Sequence, residues 1–547
     1  MPLPRTKALM KQNKNKKAAK EPKLDDADDY LVLASEHEDA MGKHRAGDAS
    51  KSLRFARRAL DVYSQGLAKF PQNFDLAYNK ARLELEVATH PNLSNELDVP
   101  ILDLLRQTLS SHQYAIDLES DNADTLFNMA QVLTALAENI MQDHPAGSSE
   151  KEALNFLEQA LDYQDRCFAI QQKSFTQSRL EFEQAMQETT NYDASTHDSS
   201  TSHEASEASK TQDEEEEQWV SVVEPVTADT LLDTIIAQIN TLTTFCSSIN
   251  YSLPMLSGPD ATLSLAWINS FSTKLLTETL SDLLNEHRDV LSKERISEAA
   301  LAKAVFTSEY LEVAFRNRQI LEPLVYKREI DAAFSQPELD KGHNEVLLAR
   351  ARALISFNLV LADSYRHETP SEASDPSSPV SLRWSLLIEA QSHLTAASKL
   401  PPAAEDNHLL ATTHLLRGDI SLLLHALAYS RPPHPQALST KGQLAKNAEV
   451  YYRNAEKLFG TLGEDGSEDK ATAELKGGIV KILQQQHSTG EGSANSADDS
   501  APVLRVSLQQ LQEAIGGLAR VKGEGWINSR LDECIEEGLI LEGFLPY

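Results

Sequence analysis

Apolar side chains recur along most of the chain at spacings of three and four. Leu231, Ile235, Ile239 and Leu242 fall at intervals of four, four and three, and Leu301, Ala304, Val305, Tyr310, Leu311 and Ala314 follow a similar rhythm. Each set traces one face of a helix of 3.6 residues per turn. Period-two alternation, which a half-buried strand needs, is confined to the short stretch Trp219–Val223. The pattern predicts an all-α chain.

Breaks in the pattern divide it. Residues 1–24 carry eight basic side chains against Glu21 alone, with little apolar content. They predict a flexible basic tail, taken over 1–29. Residues 181–224 carry 13 acids against one base, Lys210, with many Ser and Thr, and include the run Asp213, Glu214, Glu215, Glu216 and Glu217. Such a segment buries too little to offset the entropy of ordering, so a disordered acidic insertion is expected there. The remaining order is helices over 30–180, middle helical repeats over 225–366 and a linker over 367–382. Helices over 383–487, a flexible loop over 488–502 and capping helices over 503–547 complete the chain.

Charge changes the picture more than composition does. The 547 residues hold 51 Lys plus Arg against 82 Asp plus Glu, a formal net charge of −31. Setting aside the first 24 residues and the insertion still leaves about −26, so the folded surface itself is expected to be acidic. Such a body repels phosphate, and no direct contact with nucleic acid is expected of it. With 21 Gly and 22 Pro, turns are scarce and long helices are favoured. Cys167, Cys246 and Cys534 lie far apart and form no C-x-x-C pair, which argues against a disulfide framework or a thiolate zinc site. The longest mostly apolar run, Ala353 to Ala362, is interrupted by Ser356 and Asn358 and is about half of what a membrane span needs. The N-terminus lacks an apolar core of secretory type. The expectation is a soluble protein of the cytoplasm, the nucleus or both, with Lys14, Lys16 and Lys17 as a candidate import signal, an electrostatic contact with RNA or simply part of a solvated tail.

A finer spacing recurs inside the helical regions. Ala59, Tyr63, Gly66 and Pro71 are separated by four, three and five, and Ala390, Leu394, Ala397 and Pro402 repeat those intervals. Ala448, Tyr452 and Ala455 repeat the first two, with Gly460 in place of Pro. Asn73-Phe74 then opens a new helix with Ala81 on its inner face, and Ala115 to Asn122 closes a unit before Leu126, Met129, Ala130 and Leu133. Small residues at these intervals let two helix backbones approach, while Tyr or Leu fills the space toward the next pair.

On these residues the chain resembles the tetratricopeptide repeat family, whose unit is a 34-residue helix pair. The resemblance covers about 30–180 and 383–485, with only helical periodicity over 226–365. It implies a helical-repeat solenoid that binds other polypeptides. The unit from Phe74 to Asn122 is longer than the family's, and segments Thr89–Pro100 and Gln142–Glu150 are expected to lengthen the turns inside units.

Candidate chemistry is sparse. The chain has no phosphate loop, no dinucleotide-binding glycine turn, no H-E-x-x-H and no nucleophile elbow. No enzyme activity, metal or cofactor is expected. Some members of the repeat family clamp the acidic tails of chaperones with Lys, Asn and Arg. Asn79 matches the Asn of that clamp, but Asp124 and Asn128 stand where the resemblance asks for Lys and Arg, and an Asp there repels a carboxylate. The acidic surface suggests the opposite ligand, a Lys- or Arg-rich client met by Asp213 to Glu217 and Trp219, with Asn79 and Asn128 as further contact candidates. In broad outline the chain is similar to histone escorts with an acid-interrupted repeat and to fungal repeat proteins that escort new ribosomal proteins. The expected function is a non-catalytic adaptor or escort chaperone. The alternatives are a scaffold subunit with an apolar groove, for which the acids serve solubility only, and a helical-repeat enzyme. Cys167 falls at a small-residue position and is expected to be a buried, unreactive thiol. Glu533, Glu536 and Glu537 are expected to give the last helix a polar outer face, and Trp219 with Val223 is alternatively an anchor for the insertion.

Overall fold

The computed structural model describes residues 24–45, 47–94, 96–143, 148–195, 225–252, 258–317, 322–365, 378–400, 407–430, 432–490, 508–515 and 517–540. Among these residues every regular element is helical and no strand occurs, as the periodicity predicts. The chain forms two compact units, residues 1–295 and 296–547. The division falls inside the block 225–366, which periodicity alone marks as one segment.

The N-terminal unit is a succession of helices: α1 (Ala27–His44), α2 (Ala49–Lys69), α3 (Phe74–Thr89), the single turn α4 (Pro91–Ser94), α5 (Ile101–Leu118), α6 (Ala123–Asp143), α7 (Ser148–Ser195) and α8 (Ala228–Ser252). After these come α9 (Gly258–Lys274), a π-helical turn (Leu275–Thr279) and α10 (Leu280–Glu286). The starts are set by local chemistry. Asp26 and Asp29 form a reciprocal capping box on α1, and Asn73 Oδ1 accepts from Leu76 N at 2.9 Å on α3. Asn122 Oδ1 does the same for Thr125 N at 3.0 Å on α6. Each such acceptor satisfies an amide that the first helical turn leaves without a partner.

Helices pack in chain order, α1 on α2, α2 on α3, α3 on α5, α5 on α6, α6 on α7 and α7 on α8. Alternate helices touch as well: α1 meets α3, α3 meets α6, and α6 meets α8, so these four form a row. The spaced small residues sit at the crossings. Ala59 and Ala81 have no exposed surface, and Tyr63 is buried in the core of the first three helices. A Cβ on Gly66 would stand 3.0 Å from both Tyr30 Cβ on α1 and Leu76 Cδ1 on α3, closer than ordinary van der Waals contact. Leu126, Met129, Ala130 and Leu133 are buried on α6, and Leu231, Ile235, Ile239 and Leu242 on α8. Thr89–Pro100, expected to lengthen a turn, does separate α3 from α5 and contains α4, whereas in Gln142–Glu150 α6 continues to Asp143 and α7 already begins at Ser148.

One boundary differs from expectation. α7 continues to Ser195, so residues 181–195 are helical and not the start of the acidic insertion. From Gln172 to Gln184 nearly every side chain is exposed, Phe175 excepted, and the helix continues without a packing partner on most of its surface. Residues 171–190 are rich in Gln and Glu, and pairs such as Gln177 Nε2 to Glu181 Oε1 at 3.0 Å bridge successive turns. A helix already nucleated by its packed half needs little burial to propagate through good helix formers.

The C-terminal unit begins within α11 (Lys293–Arg316) and continues through α12 (Pro323–Ala333), α13 (Asn344–Ser364), α14 (Pro379–Ala397), α15 (Asn407–Ala426) and α16 (Pro435–Phe459). A 3-10 turn (Gly460–Gly466) leads to α17 (Ser467–Gly490), α18 (Leu508–Ile515), α19 (Leu518–Lys522) and α20 (Glu524–Glu536). From α13 to α18 each helix again packs on the next. Ala390, Leu394, Ala448, Tyr452 and Ala455 are all fully buried. One core runs through this unit, from Ala300 on α11 to Ile540 beyond α20.

Candidate functional site

The predicted contact residues are distributed unevenly. Asp213, Glu214, Glu215, Glu216, Glu217 and Trp219 lie outside the described residues, as do Lys14, Lys16 and Lys17. Asn79 and Asn128 lie on α3 and α6, neighbours in the row of alternate helices. Asn79 is half-buried and donates to Asp75 O, one turn back, at 2.8 Å. Asn128 has no exposed surface; its amide reaches the Tyr78 hydroxyl at 3.4 Å, across the α3–α6 contact. The amide of Asn128 is therefore engaged in helix packing.

Along the same row, charges pair across helices. Arg82 on α3 bonds Glu38 on α1 and lies 3.3 Å from Glu86, which also pairs with Arg45. The Tyr63 hydroxyl donates to Glu38 at 2.5 Å. Burial alone would lower the pKa of Arg82, but Glu38 beside it holds the guanidinium above its usual range. Nearby on α3, Glu84 accepts from Lys80 at 2.6 Å and from Gln107 of α5 at 2.7 Å. His112 on α5 is fully buried, and burial pulls its pKa down to about 4.

The C-terminal unit contains a cavity of about 310 Å³ among α13, α15, α17 and α20. Its charged wall centres on Lys476, whose Nζ donates to Asp419 Oδ1 at 3.0 Å and to Glu537 Oε2 at 3.1 Å. The Tyr452 hydroxyl donates to the same Asp419 oxygen at 2.8 Å. Lys476 and Asp419 are buried, and an ammonium in that position would lose its proton easily without a counter-charge. Asp419 and Glu537 more than reverse the effect of burial and hold the Lys476 pKa above its usual range. Burial pushes Glu537 upward, and nearby Asp419 adds to that while Lys476 opposes it. Glu536 and Glu537 are exposed, as expected for the outer face of a cap, while the half-exposed Glu537 also reaches Lys476 and Glu533 lines the same cavity.

These groups are arranged to hold charge rather than to transfer it. Lys476 is kept as an ammonium, which is not a nucleophile. Burial pushes the thiol of Cys534, on the cavity wall, up to about 12, and that of Cys167 on α7 to about 12 as well. Cys167 is fully buried, as its small-residue position suggests. No helix among the described residues is long and apolar enough to cross a membrane.

Sequence reasoning identifies the crossings but not the Lys476 cluster. Asp419 and Glu537 lie 57 and 61 residues from Lys476 in sequence, and in a chain with 82 acids no spacing marks one Asp–Lys pair above another. A weak local signal exists in Gly418-Asp419, a small residue directly before a buried acid on a helix.

Compared with known proteins, the chain matches no family profile. It is 30% identical over 161 residues to the UPF0656 protein C926.02 of Schizosaccharomyces pombe. The match spans 29% of this chain and 35% of that relative, so the chain covers about a third of the relative's length. Among solved structures it is similar to a circular tandem repeat protein with novel repeat topology and enhanced subunit contact surfaces. That similarity has 12% identity and a TM-score of 0.30, over 94% of this chain and 98% of the other.

Proposed function

We propose that the chain is a non-catalytic, tetratricopeptide-type adaptor or escort chaperone that holds a Lys- or Arg-rich polypeptide, such as a ribosomal protein or a histone, in the cytosol, the nucleus or both. The observation that carries this reading is the row of alternate helices α1, α3, α6 and α8. Such a row gives one continuous face to which an extended partner can be laid. The charge of the body, about −26 without the tail and insertion, favours a basic occupant. Long-range attraction then speeds capture and disfavours phosphate-bearing competitors. The protonated state of Lys476 and of the buried thiols favours binding over covalent chemistry.

Affinity capture from cells tests it, with the full chain and with a variant in which residues 196–224 are replaced by a short Gly-Ser linker. Enrichment of a Lys/Arg-rich protein by the full chain, weakened by the deletion and by high salt, supports the escort reading. Recovery of the same neutral partners by both proteins, indifferent to salt, supports the scaffold with an apolar groove instead.

A further inference from the structure

We propose that the end of α7, from Leu180 to Ser195, is a docking arm for a basic polypeptide, which lies on the side of the helix that carries Phe182. The inference rests on the basic-client reading above and names a surface for it. Gln164 Nε2 donates to Thr241 Oγ1 at 3.0 Å, and Thr234 Oγ1 donates to Gln171 Oε1 at 2.7 Å. These two bonds set α7 and α8 antiparallel in one register. In that register Ala228, the first residue of α8, stands level with about position 177 of α7. Leu180 to Ser195, about 24 Å of helix, therefore lies past the start of α8.

Among the described residues of the N-terminal unit, the exposed large apolar side chains are Val99, Tyr114, Leu180, Phe182 and Val290. Of these only Leu180, 50% exposed, and Phe182, 66% exposed, share a helical turn. At about 100° per residue the two lie on opposite sides of the helix. Phe182 is on the side that already meets the body. Phe175, about two turns back on the same face, sets its ring edge-on to His287 with centroids 5.2 Å apart. An occupant over Phe182 continues that contact outward. Charge then selects the occupant. From Leu180 to Ser195 the sequence has Glu181, Glu183, Glu188 and Asp193 and no Lys or Arg. Glu183, next to Phe182, lies 3.7 Å from Arg179 in an exposed pair, which holds little energy. Residues 196–224, which follow the arm, add nine acids against Lys210. A second copy of the chain would set like charges against one another. A Lys- or Arg-rich segment with an apolar side chain to cover Phe182 matches both features.

Titration of the full chain and three variants with purified core histones, and with the basic proteins stripped from ribosomal subunits, tests this. Phe182→Ser should weaken binding by about tenfold. Glu183→Lys should weaken it by about as much at low salt and hardly at all at high salt. Leu180→Ser, on the far side of the helix, should leave the affinity as it is. All three positions are exposed, and circular dichroism with a melting curve checks that each variant keeps the wild-type fold. Unchanged affinity in either Phe182→Ser or Glu183→Lys overturns the docking face while the basic-client reading stands. Absence of binding by the wild type sinks both. Equal weakening by Leu180→Ser also overturns the choice of face. Light scattering should show the free chain as a monomer; a dimer that Phe182→Ser dissociates would give the face to a second copy and overturn the proposal.

Discussion

Gly418 lies against the ring of Tyr452 so closely that a Cβ at position 418 would stand 2.6 Å from Tyr452 Cδ1. The contact joins α15 to α16, and Tyr452 is fixed at its far end by the hydrogen bond from its hydroxyl to Asp419. A single crossing thus links the small-residue spacing to the polar wall of the cavity.

Gly418→Ala should therefore destabilise the protein by about 1–3 kcal/mol, because a fully buried ring cannot retreat without breaking that bond. Gly442, on the exposed side of the same helix pair, has open space where a methyl group would stand, with nothing within 4 Å. Gly442→Ala should stabilise by roughly 0.5–1 kcal/mol through helix propensity alone. Urea denaturation midpoints moving in opposite directions would establish the close crossing; parallel shifts would remove it.

Removing the cation of the buried cluster should cost more. Lys476→Met leaves buried Asp419 with only the Tyr452 hydroxyl, beside the half-exposed Glu537, and a loss of about 3 kcal/mol at neutral pH is expected. The deficit should shrink as pH falls. Without Lys476 the carboxyl of Glu537, already raised by burial, rises further and takes up a proton more readily in the folded state. Chemical denaturation at several pH values between 7 and 5 reads both effects, and a deficit independent of pH would count against the electrostatic account.

His112 sets an acid limit on the N-terminal unit. In the folded chain its pKa is lowered to about 4 from an ordinary 6.5, because burial disfavours the imidazolium, and its Nε2 has no hydrogen-bond partner among the described residues. The unfolded chain accepts the proton first as pH drops. Stability is therefore complete above about pH 6.5, falls between 6.5 and 4, and reaches a loss of about 3 kcal/mol below that. His112→Leu removes this proton linkage, so the stability difference between wild type and variant should change across the same window. A constant difference would mean that the imidazole is not held neutral.

The helical fold is largely legible in the sequence because its signals are local. The spacing of Ala59, Tyr63 and Gly66 encodes a crossing within one helix, and the Asn73 and Asn122 caps mark where the next helices begin. Residues 181–195 escape such a reading because their composition promises no burial, and burial is the usual requirement for order. In α7 the packed residues up to Gln171 bear that requirement and the rest of the helix extends from them. The Lys476 cluster, including its contact with Glu537, is not legible, since its geometry exists only once α15, α17 and the end of α20 are brought together.

The central claim is that an acidic face of paired helices holds a basic polypeptide. It is tested most directly by the dissociation constant of the full chain for purified core histones, and for the basic proteins stripped from ribosomal subunits, measured from low to well above physiological salt. The account predicts tight, saturable binding of one such protein at low salt that weakens steeply as salt rises. Absence of binding to every basic protein tried, or an affinity that does not respond to salt, would contradict it.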